Sequence, residues 1–152
     1  MIGCGLGDDA EELARRGFDT TAFDISPTAI DWCCRRFPRS RVEYLTRDLF
    51  AASLDWREAF DFVLECYTLQ ALPVELRQKA VRAIADLLIP GGTLLVIARG
   101  REVTDPEGNM PWPLTRGDVD GFISCGLTER TFEDYLDNEE PPVRRFRVTL
   151  TK

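Results

Sequence analysis

The chain has 152 residues, 44% hydrophobic and 30% charged, with a formal net charge of −7, a size and make-up that predict one globular domain spanning 1–152. The acidic balance argues against a nucleic-acid partner, since such binders carry a basic patch. Histidine is absent, which removes the commonest metal ligand and the commonest general base.

Elements alternate along the chain. Asp8 to Arg16 reads as a helix, with Asp8 as N-cap, Glu11–Arg15 and Glu12–Arg16 as i,i+4 pairs and Gly17 as its stop. Thr20 to Asp24 reads as a strand. Ser26-Pro27 opens a second helix that runs to about Phe37, with Ile30, Cys33, Cys34 and Phe37 on one face. Val42 to Leu45 is the next strand, followed by a connection through Trp56. Phe60 to Leu64 is mostly apolar and reads as a strand buried on both faces.

A helix from Val74 to about Leu88 carries Leu76, Ala80, Ala83, Ile84 and Leu87 at helical spacing. Pro90-Gly91-Gly92 is a hard turn before the apolar strand Thr93 to Ala98. After a loop with Pro106, Pro111 and Pro113, Thr115 and Asp118 form a capping box for a short helix that Gly126 ends. Leu127 to Tyr135 and Arg144 to Thr151 form a closing strand pair. The basic clusters, Arg35-Arg36 with Arg39 and Arg41, and Arg144-Arg145 with Arg147, read as solvated faces.

The densest signal is Gly3-Cys4-Gly5-Leu6-Gly7, opening a helix, with Asp24 closing a strand seventeen residues after Gly7. A glycine turn into a helix, then a strand-ending acid, is how a Rossmann-type fold holds a nucleoside. A dinucleotide site wants G-x-G-x-x-G around a pyrophosphate. Here the spacing is G-x-G-x-G, and Asp8-Asp9 would repel a phosphate while suiting the positive helix end. S-adenosyl-L-methionine fits that pattern, with a ribose, an adenine, a sulfonium and an ammonium. An NAD-dependent oxidoreductase fits less well, because Asp8 stands where the third glycine belongs and no histidine or Tyr-x-x-x-Lys acid is present.

Taken in order, these landmarks resemble the class I S-adenosylmethionine-dependent methyltransferases, in the style of the small-molecule, thiopurine methyltransferase-like branch. Gly3 to Gly7 match the first motif, and Phe23-Asp24-Ile25-Ser26 match the second-strand acid and helix start. Asp48 matches the acid near the adenine amine, and Phe60 to Cys66 match the fourth strand and the turn receiving the methionine end. Leu87-Leu88-Ile89-Pro90-Gly91-Gly92-Thr93-Leu94 match L-x-P-G-G-x-L. The match is close from Ile2 to Ala98 and general from Arg99 to Lys152.

The resemblance implies an α/β, Rossmann-like, doubly wound and mostly parallel seven-stranded sheet with an antiparallel C-terminal strand pair. Only Met1 and Ile2 precede Gly3, so the first strand is expected to be truncated and the family's N-terminal helices missing. A second copy in a homodimer is expected to cover the cleft. The implied cofactor-binding residues are Gly3, Cys4, Gly5, Gly7, Asp24, Ile25, Asp48, Leu49, Glu65 and Cys66.

Methyl transfer asks the protein mainly for orientation and exclusion of water, so the lack of histidine is no obstacle for an acceptor that deprotonates easily. Glu65 and Tyr67 are the catalytic candidates, with Glu65 the better placed base just past a strand end. Asp8 is a further candidate base, and Gln70, Tyr67 and Trp112 are candidate walls of an acceptor pocket. The expected partner is a small-molecule acceptor carrying a thiol, amine or hydroxyl. The competing reading is a non-catalytic domain that binds the same cofactor.

Cys4, Cys33, Cys34, Cys66 and Cys125 make no C-x-x-C pair; reduced thiols, no metal and a cytoplasmic location are expected. No apolar run approaches the ~20 residues of a membrane span.

Overall fold

The computed structural model describes residues 1–51 and 56–152. They fall into two compact units, Met1–Ala52 and Ser53–Lys152. The connection expected through Trp56 includes residues 52–55, which lie outside the described residues.

The first unit holds α1 (Asp8–Arg15), β1 (Thr21–Asp24), α2 (Pro27–Arg36) and β2 (Glu43–Thr46). β1 and β2 pair in parallel, with Phe23 opposite Leu45 and Asp24 opposite Thr46. Ahead of the glycine turn, Ile2 forms a single parallel bridge to Phe23. The core gathers Cys4, Ala10, Ala14, Ala22, Ile30 and Cys33. Small residues at these positions let both helices approach the strands closely.

Local chemistry differs from expectation at two points of α1. Its N-cap is Gly7, in a left-handed conformation at φ 86°, and Asp8 is the first helical residue. A left-handed backbone at the cap favours glycine over a carboxylate cap. Glu11 does not pair with Arg15. It accepts the Tyr44 hydroxyl at 2.8 Å and that of Ser40, while Glu12 takes both Arg15 and Arg16. In α2, Ser26 accepts the Ala29 N–H as expected of an N-cap. Ile30 and Cys33 are buried, but Cys34 is exposed, because adjacent helical residues point about 100° apart.

The second unit holds β3 (Phe60–Cys66), α3 (Val74–Leu87), β4 (Leu88–Arg99), α4 (Arg116–Ser124), β5 (Thr128–Leu136) and β6 (Arg144–Thr151). Its sheet has the order β3-β4-β6-β5. β3 and β4 are parallel, while β6 runs antiparallel to both β4 and β5. Pro90-Gly91-Gly92 interrupts the ladder: Phe60 pairs with Leu88, but Phe62 already pairs with Thr93.

The buried face of α3 is Arg77, Ala80, Val81, Ile84, Ala85 and Leu87, with Leu76 exposed. The helix is thus rotated from the purely apolar stripe. Arg77 turns inward because Asp118, at the start of α4, meets its guanidinium at 3.4 Å. The capping box of α4 is complete: Thr115 Oγ1 accepts the Asp118 N–H, and Asp118 Oδ2 accepts the Thr115 N–H at 2.8 Å.

The expected seven-stranded sheet is corrected to six strands among the described residues, two in the first unit and four in the second.

Candidate functional site

In the first unit the turn Gly3–Gly7 is fixed from both sides. The Cys4 N–H donates to the Phe23 carbonyl at 2.9 Å, and the Gly7 N–H donates to the Cys4 carbonyl at 2.9 Å. Gly3 and Gly5 adopt φ of 56° and 53°, a region that side chains resist. The Gly5 N–H donates to Asp24 Oδ2 at 3.0 Å, and the Ser26 N–H donates to Asp24 Oδ1 at 2.9 Å. Asp24 thereby locks the turn to the end of β1 and still keeps accepting capacity, because an ionised carboxylate offers about four lone-pair sites.

The neighbours of that acid divide by character. Ile25 is 69% exposed directly beside it, an apolar side chain presented to the surroundings. Asp48 accepts the Phe50 N–H at 2.8 Å and so shapes the short helical turn Leu49–Ala51, in which Leu49 is buried. Cys4 is buried, and burial foremost pushes its thiol up to about 12, with the Cys33 and Asp24 charges adding to the effect. Its sulfur therefore stays protonated, and Cys4 contributes backbone and packing. The Cys33 thiol donates to the Gly5 carbonyl at 3.3 Å.

Asp8 is not a free charge at the helix start. Arg36 grips it with Nη1 at 2.9 Å and Nη2 at 2.7 Å, and also donates to the Leu6 carbonyl at 2.6 Å. Hydrogen bonding from Arg36 holds the Asp8 carboxyl below its usual range. The expectation of a repelling carboxylate pair is corrected accordingly: Arg36 neutralises one member. Sequence spacing could not find this partner, 28 residues away.

In the second unit, Glu65, Cys66 and Tyr67 stand at the carboxyl end of β3. Glu65 is fully buried. Its Oε1 accepts the Leu69 N–H at 2.9 Å, and its Oε2 has no partner among the described residues. Burial pushes this carboxyl up to about 7, against the pull of the Leu69 and Thr68 N–H groups. Gln70 is equally buried; its side-chain oxygen accepts the Arg99 N–H at 2.6 Å, while its Nε2 has no partner among the described residues. Buried polar atoms are seldom left without a partner.

Tyr67 takes a φ of 64°, one of two non-glycine residues with positive φ among the described residues. Such strain clusters at functional sites. Its hydroxyl accepts Arg145 Nη1, and burial foremost pushes the phenol's pKa up despite the opposing Arg145 charge. Tyr67 thus keeps its proton at neutral pH, which favours a donor over a base. Arg145 also donates to Asp137 and Glu139, each at 2.6 Å. The reading of its cluster as a solvated face is corrected for this member, because Arg145 is only 9% exposed. The Trp112 backbone N–H donates to the Gln70 carbonyl at 2.8 Å, and Trp112 lines a cavity of about 220 Å³ with Val74, Arg101 and Pro113.

Among the described residues no helix is long and apolar enough to cross a membrane.

The methyltransferase domain family matches residues 1–92. An uncharacterized methyltransferase of Mycobacterium bovis is 32% identical over 129 residues, which cover 85% of this chain and 60% of that protein. The chain thus spans about 60% of that relative's length. A thiopurine S-methyltransferase of Aliivibrio fischeri is 24% identical, over 93% of this chain and 72% of that one, which supports the suggested branch only weakly. Among solved structures, a SAM-dependent methyltransferase from Methanosarcina mazei superposes with a TM-score of 0.86 at 19% identity, covering 99% of this chain and 90% of that one. That likeness bears out the α/β, Rossmann-like fold. With the glycine turn and its acid in place and more than half of its length matched, the chain belongs to the methyltransferase domain family.

Proposed function

We propose that the chain transfers a methyl group from S-adenosyl-L-methionine to a small-molecule acceptor carrying a thiol, amine or hydroxyl. The observation that carries this reading is the Gly5–Asp24 hydrogen bond, which joins a left-handed glycine turn to an acid with accepting capacity to spare.

The residues present suit the cofactor. A Cβ built on Gly5 would meet nothing within 4 Å, so the turn is open on that side. Gly3, Cys4, Gly5 and Gly7 would hold the methionine tail with backbone groups. Asp24 would accept from the ribose hydroxyls. Ile25, Asp48 and Leu49 would flank the adenine, with Asp48 accepting from its amine. The resemblance assigns Glu65 and Cys66, in the second unit, to the methionine end; within that unit Glu65 Oε2 has no partner among the described residues. When bound, the cofactor supplies a methyl carbon on a sulfonium, whose C–S electron pair returns to sulfur as the acceptor's lone pair forms the new bond.

The protein's own work is then positional. The locked turn holds its N–H groups in place, which spares reorganisation at the moment of reaction. Glu65, raised toward neutrality by burial, can hold or take a proton near pH 7.

The test is formation of S-adenosylhomocysteine when the chain is given S-adenosylmethionine and a panel of thiols, amines and phenols. Turnover with at least one class is expected. Binding without turnover on any class would favour the non-catalytic reading, and absence of both binding and turnover would overturn the proposal.

A further inference from the structure

The turn Gly3–Gly7 is rich in residues whose backbone rotates easily, because glycine lacks the Cβ that restricts other residues. α2 offsets that softness. The Gly5 carbonyl accepts the Cys33 thiol at 3.3 Å, and the Leu6 carbonyl accepts Arg36 Nη1 at 2.6 Å. Cys33 and Arg36 stand three residues apart on α2 and so share a face. Within the turn, the Cys4 carbonyl takes the Gly7 N–H at 2.9 Å, and the Gly7 carbonyl takes the Glu11 N–H at 2.9 Å. Each carbonyl from Cys4 to Gly7 is thus held by the chain itself.

A peptide bond is planar and trans, so its carbonyl and the following N–H point opposite ways. Holding the Leu6 carbonyl toward α2 therefore fixes the Gly7 N–H on the Cys4 carbonyl, and a flip of that peptide breaks both bonds at once. Arg36 is itself oriented by Asp8, which takes Nη1 at 2.9 Å and Nη2 at 2.7 Å. An exposed ion pair adds little to stability; the further bond to a backbone carbonyl gives this one a direction. The start of α2 is tied to the same turn, because the Ser26 N–H and the Gly5 N–H share Asp24. α2 is a strut, joined to the acid at one end and to the turn at the other.

Resting on the methyltransferase reading above, we propose that Arg36 is a positioning residue for the cofactor: through the Leu6 carbonyl it keeps the glycine turn in the conformation that receives the methionine tail. Arg36 and Asp8 balance in charge, so the effect is one of geometry.

The test is calorimetric titration of the full chain with S-adenosylhomocysteine and with 5′-methylthioadenosine, which carries the same nucleoside and sulfur without the amino-acid tail. Arg36→Met keeps an unbranched side chain and removes every N–H. Its affinity for S-adenosylhomocysteine falls by roughly three- to tenfold, the scale of one net hydrogen bond, while that for methylthioadenosine stays within about twofold. Arg36→Lys keeps a cation without the planar fork and falls between wild type and Arg36→Met. Arg35→Met, which removes the same charge from the exposed neighbour, binds as the wild type does. Amide hydrogen exchange, read without ligand, is faster at Gly5 and Gly7 in Arg36→Met and unchanged at Glu43, whose N–H bonds to Thr20 at the other end of the strand pair. Thermal midpoints report folding separately. Equal S-adenosylhomocysteine affinity in wild type and Arg36→Met, equal losses for the two ligands, an equal loss in Arg35→Met, or unchanged exchange at Gly5 and Gly7 overturns the inference and leaves the methyltransferase reading standing. If the wild type takes up no S-adenosylhomocysteine, that reading fails and this inference with it.

Discussion

Gly5 and Asp24, nineteen residues apart, are joined by a 3.0 Å hydrogen bond from the glycine N–H to the carboxylate. This one contact turns two separate sequence features, a glycine turn and a strand-ending acid, into one rigid surface. The second oxygen of Asp24 holds the Ser26 N–H, so the acid also sets the start of α2.

The glycines of the turn are not equivalent. A Cβ at Gly7 would lie 2.7 Å from Tyr44 Oη and 2.9 Å from Cys33 Sγ, whereas one at Gly5 meets nothing. Both positions bear the left-handed cost of about 1–2 kcal/mol, and Gly7 adds overpacking of about 1–3 kcal/mol. Urea denaturation should find Gly7→Ala clearly less stable than Gly5→Ala. The reverse order would mean that α1 shifts freely away from Tyr44.

Glu65 sets a pH dependence of stability. Burial raises its folded-state value from 4.5 to about 7, so between those values the folded chain binds more protons than the unfolded one. Its contribution is fully present below about pH 4.5 and is lost as pH rises through about 7. The difference is about 3 kcal/mol. Asp8, Glu12, Asp134 and Asp137 are held low and act oppositely, in more acidic solution. Chemical denaturation from pH 5 to 8 should show declining stability in the wild type and a flatter profile in Glu65→Gln. Parallel profiles would contradict the assignment.

At the start of α4, Asp118 serves both the cap and Arg77. Thr115→Ala removes one side of the box, for a loss of about 1 kcal/mol. Asp118→Ala also leaves a nearly buried guanidinium without its carboxylate, and should cost about 2–3 kcal/mol. Equal losses in urea midpoints would show that the Arg77 contact contributes little.

The contrast between these sites explains what the sequence discloses. The glycine turn, the Ser26 cap and the Thr115–Asp118 box are legible because each is a requirement of backbone geometry met within a few residues. Strand and helix positions follow from periodicity, and most ends shift by a residue or two, as from Val42–Leu45 to Glu43–Thr46 or from Leu88 to Leu87; the strand expected from Thr93 instead begins at Leu88 and takes in Pro90-Gly91-Gly92. The Arg36–Asp8 and Arg145–Tyr67 contacts, 28 and 78 residues apart, leave no local trace, because a long flexible side chain on any surface helix or strand looks the same in sequence. Arg77 breaks the apolar stripe of α3 for the same reason: its partner is supplied by another element. The fully buried Glu65 was legible as a candidate from its place after a strand, but its unpartnered oxygen emerges only from packing.

Calorimetric titration of S-adenosylhomocysteine into the wild-type chain and into Asp24→Ala addresses the central claim most directly. Hydrogen bonds to a charged group are worth about 1.5–3 kcal/mol each, so binding to the wild type and at least a tenfold weaker affinity in a folded Asp24→Ala are expected. Wild-type protein that takes up no ligand, or a variant that binds as tightly as the wild type, would contradict the account.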